Sequence, residues 1–163
     1  MISFSLRPVH MITTKPIAIS KNKLLAITLL RYAKKRWWMI FALLFFGIYL
    51  SLKENPEKFD TFFMFFCLLY PLLIVIQYWF WVNSAQNKVF LSERIYEIHE
   101  NKITARVDAD TFSTIDKMHI ISYDFLLGSY LLYLSKSQFF YIPADAFVSE
   151  SDLKWFKEHY IEH

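Results

Sequence analysis

Four histidines towards the C-terminus have the strongest capacity in this sequence for metal binding or proton transfer. They are His99, His119, His159 and His163. His159 and His163 stand four positions apart, a spacing that suits zinc on one helical face, but no helpful third ligand lies nearby. Glu97 and Glu100 flank His99 without forming the HExxH pattern. We therefore expect a solvated helix end at His159 and no metal site.

The sequence supports nucleophilic catalysis as little as it supports metal binding. The single cysteine, Cys67, lies inside an apolar run, so one chain can build neither a disulfide framework nor a cysteine zinc site. The sequence has no GxSxG, no Walker loop and no Cys-His pair in its aqueous part. Two glycines among 163 residues exclude a glycine-rich nucleotide cradle. We expect a protein that is not an enzyme, uses no cofactor and shows no evident small-molecule substrate.

Two apolar stretches determine the class of protein, in which 55% of residues are hydrophobic and 20% aromatic. They are Trp37–Leu52 and Phe59–Val82, about 24 Å and about 36 Å long as helices, against a hydrocarbon core of about 30 Å. The first is short, and is completed by extending the helix back through Arg31–Arg36, whose long stems can snorkel. We expect a transmembrane helical hairpin over residues 37–82, across which Tyr70 and Gln77 can hydrogen-bond.

Charge sets the orientation of this hairpin. Six basic residues precede the first stretch: Lys21, Lys23, Arg31, Lys34, Lys35 and Arg36. In the connecting loop, Lys53 and Lys58 are balanced by Glu54 and Glu57. The positive-inside rule therefore puts both termini in the cytoplasm.

Basic and aromatic residues near the span ends predict the membrane interface. These are Lys34, Lys35, Arg36, Trp37, Trp38, Trp79 and Trp81. Tryptophan favours the headgroup level, and in an antiparallel hairpin the first two indoles and the last two are expected at one interface. Gly47 stands alone, so the pattern contains no GxxxG dimer face.

Residues 1–36 form an expected cytoplasmic N-terminal region. Ile2, Phe4 and Leu6 alternate with polar residues, which predicts a short strand over Met1–Leu6. Ser20 is a suitable cap for an amphipathic helix that starts at Lys21 and runs into the first apolar stretch.

Residues 83–163 differ sharply in composition and form an expected cytoplasmic domain. They hold 8 Lys plus Arg against 12 Asp plus Glu, a net charge of −4. Turn residues separate six strand-like runs: Arg94–His99, Lys102–Val107, Thr111–Ile115, Met118–Phe125, Ser129–Leu134 and Phe139–Ile142. A terminal helix begins near Ser149 and buries Leu153, Phe156, Tyr160 and Trp155. The fold class is α+β: a membrane hairpin, then an antiparallel β-meander or roll closed by a C-terminal helix.

The order of these parts resembles the YcxB-like family of small bacterial membrane proteins. Arg94–Ile103 looks like the family's paired opening strands with their acidic turn. Tyr130–Ser135, Phe140–Pro143 and Ala146-Phe147 look like its closing strand pair, its Ile-Pro step and its lead into the last helix.

This resemblance implies a cytoplasmic domain similar to bacterial pleckstrin-homology modules, residence in the bacterial inner membrane and no established enzymatic activity. The sequence departs from the family in two places. Ala144 and Asp145 stand where basic residues are usual, which argues against a phosphate or lipid site there, and the tryptophan usual before the middle strand is absent from residues 113–119.

The functional expectation is a multi-pass membrane protein that presents its cytoplasmic domain to a protein partner. The segment from Asn87 onward is expected to fold by itself and to bind anionic headgroups weakly or not at all. Mixed charge disfavours nucleic-acid binding. The alternative is an immunity or envelope-protection protein against a membrane-acting or periplasmic toxin, and a third reading is an enzyme on a membrane substrate.

Overall fold

The computed structural model describes residues 11–107, 111–135 and 138–162, so the strand expected over Met1–Leu6 lies outside it. The chain packs as two compact units. One is continuous, from Ser20 to Phe90, and the other combines the residues up to Ile19 with those from Leu91 onward. Composition indicates divisions after residues 36 and 82, where the apolar stretches begin and end. Packing instead divides the chain after Ile19 and after Phe90, at the two ends of the helical unit.

The continuous unit contains two long helices, α1 (Lys21–Ser51) and α2 (Lys58–Asn83), followed by the single turn α3 (Lys88–Leu91). Ser20 caps α1 as expected, and its Oγ accepts a hydrogen bond from the Lys23 amide at 3.2 Å. The helix is kinked at Arg36, whose backbone is non-helical (φ −121°, ψ 15°). The kink lies where the basic half of α1 meets its apolar half.

The two long helices pack side by side and run antiparallel. Phe46 contacts Phe63 edge to face, with ring centroids 6.0 Å apart. The hydroxyl groups of Tyr32 and Tyr70 are 2.9 Å apart, which confirms Tyr70 as a hydrogen-bonding residue between the helices. At the loop end, Lys53 forms an ion pair with Asp60 at 2.5 Å.

Within the described residues, α2 is the one helix long and apolar enough to cross a membrane. The sequence predicts two such spans. The difference arises in α1, whose basic residues all precede Trp37 and leave an apolar part of fifteen residues, about 22 Å long. Of the 26 residues of α2, Cys67 and Val82 are buried. The rest of this apolar helix is therefore exposed or half-buried.

In the second unit, the described residues form seven antiparallel strands in two sheets. The first sheet has the order β1 (Ile12–Thr13), β2 (Ile95–Ile98), β3 (Lys102–Arg106) and β4 (Phe112–Asp116). The second has the order β5 (Ser122–Leu126), β6 (Ser129–Tyr133) and β7 (Phe139–Pro143). The α+β class with antiparallel strands is thus confirmed.

A 3₁₀ turn separates the two sheets, where the sequence predicts one continuous meander. The strand expected over Met118–Phe125 begins only at Ser122, because Lys117–His119 forms this turn. The apolar alternation of the segment matches a strand, but Lys117–His119 closes a tight turn. Bonding to β6 begins at Ile121, whose amide donates a hydrogen bond to the Tyr133 carbonyl at 2.8 Å.

Helix α4 (Glu150–Tyr160) closes the sheet unit, as expected. Ser149 Oγ accepts a hydrogen bond from the Asp152 amide at 3.1 Å, which caps the helix. Phe156 is fully buried, with its ring centroid 5.3 Å from that of Tyr130 and 5.0 Å from that of Phe147. Tyr160 is also buried, whereas Leu153 and Trp155 are half-buried and do not belong to the interior.

The segment before α1 is part of the sheet unit. Ile12, Ile17 and Ile19 are all buried, and the Lys15 amide donates a hydrogen bond to the Ala146 carbonyl at 2.8 Å. The segment from Asn87 onward, which the sequence predicts to fold by itself, lacks these residues. It therefore lacks β1 and three core side chains.

Candidate functional site

Of the four candidate histidines, the three in the described part of the chain lie on or beside different elements. His99 follows β2, His119 lies in the exposed 3₁₀ turn, and His159 stacks on the Trp155 ring with centroids 4.0 Å apart. His163 is outside the described residues. Among the residues that the structure describes, no three His, Cys, Asp or Glu side chains come together as a possible metal site.

Tyr160 links α4 to the backbone of His99. Its hydroxyl donates a hydrogen bond to the His99 carbonyl at 2.5 Å, and Lys117 Nζ lies 5.5 Å from the centre of its ring. Burial raises the pKa of the Tyr160 phenol well above its ordinary range. The phenol thus serves as a hydrogen-bond donor that ties α4 to the end of β2.

The seven predicted interface residues all lie on the two long helices. Lys34, Lys35, Arg36, Trp37, Trp38, Trp79 and Trp81 are exposed. The first five follow one another at the kink of α1, and the last two lie near the end of α2. That they border a bilayer stays a prediction.

The four indoles of this set lie at two levels along the helix pair. Tyr32 contacts both Tyr70 and Tyr78 of α2, so Trp79 lies at or beyond the level of Tyr32, on the side away from the loop. Trp37 and Trp38 are five and six residues further along α1 towards the loop, which at about 1.5 Å per residue is roughly 8 Å or more. That all four indoles lie at one membrane interface stays a prediction.

Exposed apolar side chains lie on and beside β4 and β5, the two strands that flank the junction of the two sheets. We call this set the β4–β5 surface, and it comprises Phe112, Met118, Ile121, Tyr123, Phe125 and Leu127. The exposed fraction reaches 65% for Phe112, 84% for Met118 and 72% for Ile121. These side chains come from β4, the 3₁₀ turn, β5 and the turn that follows it.

Strand order explains why this surface is uncovered. Among the described strands, β4 pairs only with β3 and β5 pairs only with β6, so each lies at the edge of its sheet. Four of the five residues of β4 are exposed, and Tyr123 and Phe125 alternate along one face of β5. Edge strands of this kind offer both side chains and backbone groups to another chain.

An open groove of about 500 Å³ adjoins this surface. Its lining includes Thr114, Asp116 and His119 on the polar side and Met118, Ile121 and Leu134 on the apolar side. A mixed lining of this type suits a side chain with an apolar body and a polar tip.

The turn after β7 is the place where the sequence argues against a phosphate or lipid site. Ala144 and Asp145 lie there in a 3₁₀ turn (Ala144–Ala146). Lys15 comes from the N-terminal segment, and its Nζ donates a hydrogen bond to the Asp145 carbonyl at 3.3 Å. One lysine bonded to a backbone oxygen is a weaker anion site than a cluster of basic residues.

The β4–β5 surface is the feature that the sequence alone does not reveal. Met118, Ile121 and Phe125 are apolar residues among polar ones, a pattern that also fits a strand with one buried face. Periodicity shows that a strand has two faces, but it does not show which face a second layer covers. The only available signal was the density of apolar residues on a segment where both faces carry them.

No match to this chain is found among family models, curated proteins or solved structures.

Proposed function

We propose that this chain is a membrane-anchored binding module of the bacterial inner membrane, with both termini in the cytoplasm and the sheet unit presented to a protein partner. It is not an enzyme. The observation that carries the proposal is the β4–β5 surface, six large apolar side chains exposed on and beside two strands that are each paired on one side only among the described strands. Clustered exposed apolar side chains mark interaction sites in soluble domains.

The anchor is supported by the helical unit. Apolar side chains along α2 are exposed over most of its length, including Phe62, Leu69, Leu72 and Phe80. Burying one such side chain is worth roughly 1.5 to 3 kcal/mol, so leaving them all in water would far exceed the stability of an ordinary domain. A bilayer removes this cost. The apolar half of α1 packs along α2 and makes the second crossing, which gives a multi-pass hairpin.

The pleckstrin-like interpretation is supported by strand number and order. Sheets of four and three antiparallel strands, closed by a C-terminal helix, fit the module that the YcxB-like resemblance implies. Fold does not carry function, and the headgroup-binding role of such modules needs clustered basic residues. Ala144 and Asp145 at the closing turn, together with the net charge of −4 over residues 83–163, favour a protein partner over a lipid headgroup.

Photo-crosslinking in cells tests the proposal directly. A photoreactive amino acid placed at Ile121 of the full-length protein should give a discrete covalent adduct with a partner protein, because this side chain is largely exposed beside the groove. The same residue placed at Lys154, which is exposed on α4, should give none.

The substitution Ile121→Asp, made with the photoreactive residue at Phe125, should abolish the adduct while leaving the protein folded and in the membrane. Adducts of equal yield from positions 121 and 154, or none at position 121, would contradict a specific partner at this surface.

A further inference from the structure

The charged side chains of helix α1 are all positive. All six of its charged residues are basic, and it contains no Asp or Glu. Three of them, Lys34, Lys35 and Arg36, follow one another at the kink, and we call these three the basic cluster. All three side chains are exposed.

The packing of the helices places the basic cluster beside the middle of α2. Tyr32 contacts Tyr70 and Tyr78, and a Cβ atom on Gly47 would lie 2.9 Å from Leu68. The basic cluster comes between Tyr32 and Gly47 along α1, so it is level with residues of α2 between Leu68 and Tyr78, a range that includes Pro71. The helix α2 runs from residue 58 to 83, and its midpoint near Pro71 falls in this range.

This register creates a conflict within the proposed membrane anchor. A helix of 26 residues is about 39 Å long, and when it is centred in a hydrocarbon core of about 30 Å its middle lies near the bilayer centre. The basic cluster would then lie deep in hydrocarbon, where cations are strongly unfavourable. Raising α2 until the basic cluster reaches the headgroups would instead leave Leu72, Leu73 and Phe80, all exposed, in water.

We infer that the basic cluster binds the phosphate groups of anionic phospholipids, which are drawn inward on the α1 side of the hairpin. On the α1 side, the boundary between headgroups and hydrocarbon lies at Arg36–Trp38. On the α2 side, the same boundary lies at Trp79–Trp81. This inference rests on the proposed membrane anchor and adds to it a lipid partner and its position.

The two levels of tryptophan support this asymmetric boundary. Trp37 and Trp38 directly follow the basic cluster, and Trp79 and Trp81 lie near the end of α2. Indoles prefer the headgroup level, so each pair marks one boundary. A single flat boundary would satisfy only one pair. Arginine and lysine are the side chains that bind phosphate oxygens best, and anionic lipids supply them at the cytoplasmic face.

The tryptophans also allow the lipid site to be tested by fluorescence quenching. One reporter keeps Trp37 and Trp38 and carries Trp79→Phe, Trp81→Phe and Trp155→Phe; a second keeps Trp79 and Trp81 and carries Trp37→Phe, Trp38→Phe and Trp155→Phe. Each full-length protein is reconstituted in phosphatidylcholine vesicles that contain either brominated phosphatidylglycerol or brominated phosphatidylcholine. Quenching gives the relative association constant of each lipid at each tryptophan pair.

For the first reporter, we expect brominated phosphatidylglycerol to be preferred by up to about fivefold for each basic residue that it contacts. Bromines close to the headgroup should quench Trp37 and Trp38 more strongly than bromines near the chain end. The triple variant Lys34→Gln, Lys35→Gln, Arg36→Gln should lose the preference, and high salt should weaken it without any substitution. The control Lys102→Gln, Lys154→Gln, Lys157→Gln removes as many charges from the sheet unit and should keep the preference.

The outcomes separate the two proposals. Equal quenching of the first reporter by both lipids, or strongest quenching by bromines at the chain end, would overturn the lipid site while leaving the anchor intact. If no brominated lipid quenches either reporter, the anchor itself is wrong and the lipid site falls with it.

Discussion

Thr14 and Tyr96 are joined by two hydrogen bonds although they are 82 positions apart in the chain. The Thr14 amide donates to the Tyr96 carbonyl at 2.9 Å, and the Tyr96 amide donates to Thr14 Oγ1 at 3.0 Å. Both residues are buried. The pair fastens the segment before the helical hairpin to β2, so the sheet unit is completed by residues on both sides of the hairpin.

The substitution Thr14→Val should lower the free energy of unfolding of the sheet unit by about 1 to 3 kcal/mol, because it leaves the buried Tyr96 amide without its acceptor. Trp155 fluorescence follows this unit when the other four tryptophans are replaced by Phe. Thr13→Val changes the exposed neighbour in the same strand and should have little effect. Equal effects of the two variants would show that the hydroxyl group of Thr14 is dispensable.

Phe156→Ala should destabilise the sheet unit by about 3 to 5 kcal/mol, since it removes a fully buried ring that contacts Tyr130, Phe147 and Tyr160. A urea titration followed by Trp155 fluorescence, with the other four tryptophans replaced by Phe, measures the change. Lys154→Ala, on the exposed face of the same helix, is the control and should shift the midpoint only slightly. An unchanged transition for Phe156→Ala would mean that α4 is peripheral to the core.

Gly47→Val should separate the two long helices. A Cβ atom at position 47 would lie 2.9 Å from Leu68 Cδ2 and 3.2 Å from Cys67 Cβ, closer than ordinary packing permits. Cys67 is the single cysteine and is fully buried, so the variant should label with a membrane-permeant maleimide faster than the parent. Ala42→Val, at an exposed position of α1, should not change the labelling rate. Unchanged labelling in Gly47→Val would show that the close contact is not needed.

Tyr160 should make the sheet unit sensitive to alkali. Burial raises the pKa of its phenol in the folded state, so its contribution to stability is complete below the unfolded value of about 10 and is lost as the pH rises above that value. Tyr160→Phe should therefore reduce the loss of stability above pH 10, at the cost near neutral pH of the hydrogen bond to the His99 carbonyl. Burial also raises the pKa of Tyr96, which leaves part of the alkaline slope in place. Parallel stability curves for parent and variant would refute this assignment.

Reporters of topology should read cytoplasmic when fused after His163 and external when inserted at Asn55. The six basic residues before Trp37 outweigh the loop, where two lysines are balanced by two glutamates. Alkaline phosphatase and green fluorescent protein fusions measure this in cells. An external reading after His163 would rule out the two-crossing hairpin and favour a single crossing by α2.

The sequence by itself determined the local features. Twenty-four nearly uncharged apolar residues from Phe59 predict α2 whatever their surroundings, because helical hydrogen bonds are satisfied within the segment. The caps Ser20 and Ser149 mark the starts of α1 and α4, since a capping hydroxyl acts on amides only three positions away. Strand positions after Ile95 follow from apolar runs between turn residues.

Only the tertiary structure decided how distant segments meet. The pairing of Thr14 with Tyr96, the exposure of Met118 and Ile121, and the use of the isolated Gly47 against Leu68 each depend on contacts between elements. The level of the basic cluster beside α2 is likewise a matter of helix register. Hydrophobic periodicity shows which face of an element is apolar. It does not show whether that face packs on a sheet, another helix, a lipid or a partner protein. The choice between these neighbours is made by packing across the whole chain, which local pattern does not encode.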